Sequence, residues 1–479
     1  MNDPKTTHAV QDFGHPSGAH IEAYSKSTLL PQGFMPRQLS LATTALILAC
    51  DILLFMTTPT VTAALLATAL WFFLLWRERS GSAGTQTLPA IIVSGFIMTT
   101  GLGGYLIWGR ISDAGGVGAH IDLTQQMRDS SFAICALTAL SVLIGATIAT
   151  TARPIDRLVA TQFGISVGSR LYARLLLWAA MGAVVVATLA MGFDGIMFRT
   201  SYLEYTGGSV LLRRLSGATI LVGIAACAAL TTSKQTLSKT LGWLCLGAST
   251  ALVVSQGSRR LALVPLLYLL GKAVAGRLPT KSAILTSSLA SLYLISLAIA
   301  FRQAPSHGLI PHLKVLPRSL TTQLPWQPIL ANLLNGFSLA PQVAFVEPRI
   351  PQSALWVSID PRSGHSAGWY AISGSLRINI NTPYSSLGEL GNHGASVLFI
   401  YSLLLGATLT ICCRAMIGAA SGQSGSSPFR RIFLVSISGY IGLSFVQYNL
   451  RSTTRIAYLL VAFCGIYRVA LSSRRVQKG

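Results

Sequence analysis

Acidic residues are scarce in this chain. Fourteen Asp and Glu stand against 36 Lys and Arg in 479 residues, and all charged residues together make up 10%. A soluble domain carries about 25% charged residues. With 51% hydrophobic residues and a mean hydropathy of +0.57, the deficit excludes an ordinary soluble domain. The short alternating segments of a membrane barrel are missing too. What remains is an all-α polytopic membrane protein.

Cysteine is missing from every polar stretch. Cys50, Cys135, Cys227, Cys245, Cys412, Cys413 and Cys464 all fall inside apolar runs. That placement argues against a disulfide framework and for small hydrophobes in a helix bundle. The chain also lacks an outward Asp-x-Asp motif, a P-loop, a dinucleotide-binding glycine fingerprint, His-Glu-x-x-His and Gly-x-Ser-x-Gly. A metal-dependent route is therefore not expected, and neither is a cofactor. Nucleic acid is not an expected partner, because the basic residues sit in short loops and not on a soluble basic face.

Twelve apolar runs are present, at roughly 39–57, 59–76, 88–108, 131–151, 175–192, 215–232, 240–256, 261–276, 283–301, 395–413, 432–448 and 456–472. Most reach the ~17–20 residues needed to span a bilayer. About twelve transmembrane helices are expected; the one starting at Leu261 is short, contains Pro265, and is expected to be broken or tilted. Residues 1–38 are polar and read as a cytoplasmic tail. Residues 39–301 then hold helices 1–9, residues 302–394 form one large external loop, and residues 395–479 hold helices 10–12 and a short tail. Asp51, inside the first run, is an intramembrane acid and either functional or a bridge between helices.

Orientation follows from the short loops. Placing the N-terminus inside puts seven of the eight lysines on the cytoplasmic side, with both termini there and 302–394 outside. Fourteen of the fifteen outer basic residues are then arginine. Solvation alone would not select arginine so strongly, whereas a planar guanidinium fork grips phosphate or carboxylate through two parallel bonds.

The interval from Phe301 to Gly394 organises the rest. It holds ten of the twenty prolines and four of the eight histidines. A loop of this length is uncommon unless functional or disordered. Arg302 opens it, and Arg318, Arg349, Arg362 and Arg377 follow, with Glu347, Asp360, His365, Trp369 and Tyr370. Such a mix suits a sugar site, aromatics stacking on sugar faces and polar groups reading hydroxyls. The interval closes on Leu387, Gly388, Glu389, Leu390, Gly391, Asn392, His393 and Gly394. A carboxylate and an imidazole four positions apart can act as base and orienter. Elsewhere, Arg259 and Arg260 sit together at an expected helix start, an awkward place for cations unless an anion joins them. Arg451 and Arg455 share a helix face at i, i+4 and repel unless an anion lies between them. Headgroup contact and ordinary surface chemistry are the competing readings at each of these positions.

The Gly257-Ser-Arg-Arg260 element, the large outer loop, the Leu387–Gly394 stretch and the outward Arg451 together resemble the oligosaccharide repeat-unit polymerases, the Wzy-type O-antigen polymerases of bacterial envelopes. An aromatic often precedes the last glycine of the family's Gly-Glu stretch, where this chain has His393. The acid often seen after the final arginine is missing after Arg451. The resemblance implies a GT-C-like glycosyltransferase of the inner membrane, acting at the periplasmic face on polyprenyl-pyrophosphate-linked oligosaccharides in O-antigen or exopolysaccharide biosynthesis. It implies Arg259, Arg260, Arg302, Arg377, Arg451 and Arg455 as pyrophosphate ligands, and Glu389 or His393 as the base. Membrane lipids and a protein that regulates chain length are the implied partners. An O-antigen ligase, which transfers the glycan to lipid A core, shares these features. A flippase for the lipid-linked unit is the reading from another class, but it leads one to expect repeats between halves and substrate groups at mid-membrane.

Overall fold

A computed structural model describes residues 37–56, 60–80, 84–112, 123–151, 170–200, 220–221, 223–233, 235–257, 259–274, 280–321, 330, 334–345, 350–376, 384–417 and 428–476. Among them the chain is helical with no β-strand; a single bridge pairs Arg199 with His307. Residues 1–43 form a unit of their own, of which only 37–43 are described, as helix. The unit from Thr44 onward holds the packed cores.

The chain enters through α1 (Arg37–Met56), α2 (Val61–Ser80), α3 (Gly84–Ser112) and α4 (Gln125–Thr151). Helix α4 is the hub. Every described residue from Ser130 to Thr147 is buried, so it is apolar all round, as a helix enclosed by others must be. It packs on α2, α3 and α15 (Ala395–Ile417). Its approach to α15 needs glycine on both sides: a Cβ at Gly145 would collide with the Leu403 carbonyl, and one at Gly406 with the Val142 carbonyl. Small residues let membrane helices meet backbone to backbone in this way. Asp51 is fully buried between α1 and α4, where Ser141 Oγ donates to its Oδ2 at 2.7 Å. Of the two roles expected for Asp51, the structure shows the bridge.

A second packed core gathers α5 (Arg170–Met191), the short α6 (Phe193–Met197), residues 220–230, α7 (Thr236–Ser255), α8 (Val264–Val274), α9 (Lys281–Gln303) and α10 (Leu309–Thr321). Of the two outcomes expected for the segment that contains Pro265, the structure shows a break, placed before the proline. Residues Arg259–Leu263 form a 3-10 turn, and α8 follows over 11 described residues, about 16 Å. Pro265 falls in the first turn of α8, where its missing N–H removes no helical bond.

Among the described residues, five helical stretches are long and apolar enough to cross a membrane: Gln86–Trp108, Gln125–Thr150, Thr236–Ser255, Lys281–Phe301 and Ala395–Ala415. Shorter apolar stretches occur at Thr43–Leu53, Val61–Arg77 and Ala180–Met191. The interval after Arg302 is not a free loop. It contains α10, α11 (Asn335–Ala344), α12 (Gln352–Ile359), α13 (Trp369–Ile372) and α14 (Ser386–Asn392). Helix α11 is sunk into the first core: Ser131 Oγ donates to the Phe337 carbonyl, and Phe337 lies 6.2 Å from Trp108. Helices α16 (Pro428–Gln447) and α17 (Leu450–Val476) complete the chain's described part.

Candidate functional site

The Leu387–Gly394 stretch folds into α14 because Ser385 caps it, its Oγ accepting from Gly388 N at 3.1 Å. Each member of the motif then has a distinct neighbour. Gly388 meets α11, where a Cβ would stand 2.5 Å from Val343 Cβ. Asn392 sits one turn later, its Nδ2 donating to the carbonyls of Val343 and Ala344 at 3.0 and 3.3 Å. Its Oδ1 accepts from Ile350 N at 2.7 Å. Asn392 thus closes the C-terminus of α11, a structural task. Glu389 points elsewhere. Its carboxyl is 1% exposed, and both oxygens accept from Leu450 N at 3.4 Å. Leu450 is the first residue of α17, and Asn449 Oδ1 caps the same end by accepting from Ser452 N at 2.7 Å. The carboxyl therefore lies over a helix N-terminus, whose orphan N–H groups favour negative charge. Burial nonetheless dominates and pushes its pKa up to about 8, the Leu450 N–H opposing only in part.

His393 terminates α14 and is half-buried, which lowers its pKa. Among the described residues it shares no hydrogen bond with Glu389. The structure does not join the base-and-orienter pair expected from their spacing.

Arg451 and Arg455 share a face of α17, as their spacing predicts. What lies between them is a backbone strap. Arg451 donates through Nη1 to the Val357 carbonyl and through Nη2 to the Arg362 carbonyl. Arg455 Nη2 donates to that same Arg362 carbonyl. One turn on, Tyr458 Oη donates to the Ile359 carbonyl at 2.7 Å. Asp360, on the strap, holds the exposed Arg362 side chain at 2.7 Å, and that hydrogen-bonded pair draws the Asp360 pKa below the usual carboxylate range. Arg451 also feels the Asp360 charge. Carbonyl oxygens and one carboxylate thus take the place of the anion expected between the two arginines. Beyond the strap, Trp369 lies 5.6 Å from both Tyr370 and Tyr384, and Tyr370 is exposed.

Arg259 and Arg260 come out differently from the expectation. They follow the carbonyl end of α7 and open a five-residue 3-10 turn, so the field of the long helix beside them is negative. The electrostatic conflict expected at a helix start is absent, and any need for an anion there must come from other groups. Arg260 is half-buried and lies within electrostatic reach of Tyr440 on α16, which also feels Tyr448. The Tyr448 carbonyl in turn accepts from Ser386 N at 2.8 Å and Ser386 Oγ at 2.7 Å. The C-terminal part of α16 thus feels Arg260 through Tyr440, and the Tyr448 carbonyl just beyond it holds the start of the helix that carries Glu389. Arg302 lies in the last turn of α9, directly after Phe301, whose Cβ would stand 3.5 Å from a Cβ at Gly257. The side chains of Arg259 and Arg302, and the whole of Arg377, lie outside the described residues.

Arg199, His307 and His312, which no sequence motif marks, are buried together under the Gln256–Arg260 turn. Their only signal was the crowding of histidines between Phe301 and Gly394 and the arginine bias of the loops expected to lie outside. Tyr458 likewise carries no motif. No family model, no curated protein and no solved structure matches this chain.

Proposed function

We propose that this protein is a membrane-embedded glycosyltransferase that polymerises polyprenyl-pyrophosphate-linked oligosaccharide units at the outer face of a bacterial inner membrane. The observations that carry the reading are the buried carboxyl of Glu389, held by the Leu450 N–H, and the arginine pair of the Arg259–Arg260 turn. Glycosyl transfer from a lipid diphosphate needs both. Negative charge grows on the leaving diphosphate and must be neutralised, which fixed guanidinium groups do in a dry site. The attacking sugar hydroxyl must lose its proton to a base.

In this reading Arg259, Arg260 and Arg302 bind the diphosphate. Glu389 accepts the proton. With a pKa near 8 its carboxyl is ionised in about one molecule in ten at pH 7, so the active form is the minor one at neutral pH. Arg451, Arg455 and Tyr458 hold the Val357–Arg362 strap over the outer end of α17, beside Tyr370 and Trp369, which offer faces for sugar rings. The GT-C-like architecture, which rests on the resemblance, the twelve spans, which rest on the apolar runs, and the cytoplasmic termini and periplasmic placement of 302–394, which rest on the arginine and lysine distribution, belong to the same proposal. The test is the glycan banding of cells lacking the gene and complemented with Glu389→Gln, with protein level checked by blot. Glycans stopped at one repeat unit are expected, and wild-type chain lengths from Glu389→Gln would remove Glu389 as the base.

A further inference from the structure

Helix α1 meets the bundle along a narrow stripe. Among its described side chains Thr44, Ile47 and Asp51 are buried, at i, i+3 and i+7, while Leu46, Ile52 and Leu53 are exposed. Two of the three buried side chains are polar. Thr44 Oγ1 accepts from Arg77 Nη1 of α2 at 3.3 Å. Asp51 is 0% exposed and meets α4 at Ser141. A carboxyl group enclosed in this way is costly when ionised unless a cation or several hydrogen-bond donors compensate it.

Neither compensation is present around Asp51. No charged group among the described residues acts on it. Arg77 of α2 reaches Thr44, two turns away along α1. Arg414 of α15 donates to the Ala149 carbonyl at 2.6 Å, two turns beyond Ser141 on α4. The other titratable side chains along the middle of α1 and α4 are the thiols of Cys50 and Cys135. Donors are equally scarce. Ser141 is the one hydrogen-bond partner of the carboxyl among the described residues, and Oδ1 is buried with none.

The single donor is also overcommitted. If Asp51 is ionised, Ser141 Oγ must donate to its Oδ2, 2.7 Å away. The same hydroxyl stands 2.8 Å from the Leu137 carbonyl, one turn back on α4, and that contact needs a hydrogen as well. A hydroxyl has one hydrogen, whereas a carboxylate and a carbonyl can only accept. Both distances are those of full hydrogen bonds. The second hydrogen therefore has to come from Asp51. With Oδ2 protonated the account closes: Oδ2–H donates to Ser141 Oγ, and Ser141 O–H donates to the Leu137 carbonyl. Oδ1 is then the carbonyl oxygen of a neutral acid, and no uncompensated charge is buried.

We propose that Asp51 is a proton-binding site, a neutral carboxylic acid whose Oδ2–H donates to Ser141 Oγ and latches α1 to α4. The direction of this bond is the reverse of the one an ionised side chain would require. Release of the proton to water would leave one hydroxyl hydrogen for two acceptors and a bare carboxylate on the stripe that holds α1. The inference stands apart from the polymerase reading, and its test measures no glycan.

The test uses the full chain at neutral pH in a maltoside detergent, which has no carbonyl group of its own. Infrared spectra of wild type minus Asp51→Asn are expected to show the C=O band of a protonated carboxyl above the amide I region, moved down in heavy water. Glu389 is common to both proteins and cancels. The lack of such a band overturns the proposal. Ser141→Ala removes the acceptor of the Asp51 proton and is expected to move the band to higher frequency; an unmoved band contradicts the donor direction. If Asp51→Asn does not accumulate, the difference between wild type and Ser141→Ala decides alone.

Hydrogen exchange over α1 tests the latch. Asparagine presents an N–H where the acid presents Oδ2–H, and alanine presents nothing. Asp51→Asn is expected to exchange as the wild type does, and Asp51→Ala to exchange about tenfold faster over α1 with α4 unchanged. Asparagine as fast as alanine would show that the negative charge is needed, and alanine as slow as wild type would show that the bond does not hold the helix.

Discussion

The Glu389 carboxyl receives the first backbone N–H of α17, from Leu450, while almost fully shielded from water. Two effects oppose each other there. The helix end favours the carboxylate, and burial favours the acid; burial wins, since the pKa stands near 8. A glutamine of the same shape can accept the Leu450 N–H without any burial penalty for charge. Glu389→Gln is therefore expected to leave the thermal midpoint equal or higher while abolishing turnover. Glu389→Ala, which leaves the N–H unpaired beside a cavity, is expected to cost about 1–3 kcal/mol. A midpoint that falls as far for Gln as for Ala would show that the ionised form holds the fold.

The same carboxyl gives a pH dependence with a definite sign. Its ordinary pKa is 4.5 and its folded value about 8, so between these the folded state binds more protons than the unfolded state. Stability from this group is complete below 4.5 and declines as pH rises toward 8. Activity should move the opposite way, rising about tenfold per pH unit toward 8 if the ionised form is the base. Thermal melts and initial rates across about pH 5–9 check both, and a flat rate profile below about pH 8 would separate Glu389 from proton transfer.

Much of the bundle was legible in the sequence. The long runs that became α3, α4, α7, α9 and α15 were readable because length and hydropathy alone mark a span. The irregular start of the segment that contains Pro265 was readable because a proline is tolerated in the first turn of a helix and not in its interior. The content of the interval after Arg302 was not. Helix α11 is buried through Phe337, Gly336 and Ser338, and nothing local distinguishes it from a surface turn of the same composition. Arg451 and Arg455 were placed rightly on one face, but the carbonyl of Arg362 that they share lies far upstream in the chain, and carbonyls leave no mark in a sequence. Asn392 looked like part of a reactive motif and closes a helix instead.

The strap provides a separate test of the arginine fork. Arg451 bonds two different carbonyls at once, a geometry that lysine cannot reproduce. Arg451→Lys is expected to lose about 1.5–3 kcal/mol of local stability. Hydrogen exchange over residues 357–362 should accelerate by one to two orders of magnitude, with α4 unchanged. Equal exchange over the strap in the two proteins would mean that Tyr458 and Arg455 suffice to hold it.

Topology has a direct check. Gly374 is exposed with no atom within 4 Å of an added Cβ, so a reporter inserted there disturbs no packing. Its side of the membrane is expected to be opposite to that of a reporter at Gly479. The same side for both would overturn the orientation inferred from the basic residues.

Polymerisation itself is measured by reconstitution, in the presence of EDTA because guanidinium groups are expected to supply the charge that a metal would otherwise supply. Purified protein in liposomes is given a polyprenyl-pyrophosphate-linked repeat unit and nothing else, and the lipid-linked products are separated by length. A ladder of chains two or more units long is predicted, lost in Glu389→Gln and strongly shortened when Arg259→Lys and Arg302→Lys are combined. Unextended substrate from the wild-type protein, with glycan appearing only when lipid A core is supplied as acceptor, would contradict polymerisation and identify a ligase.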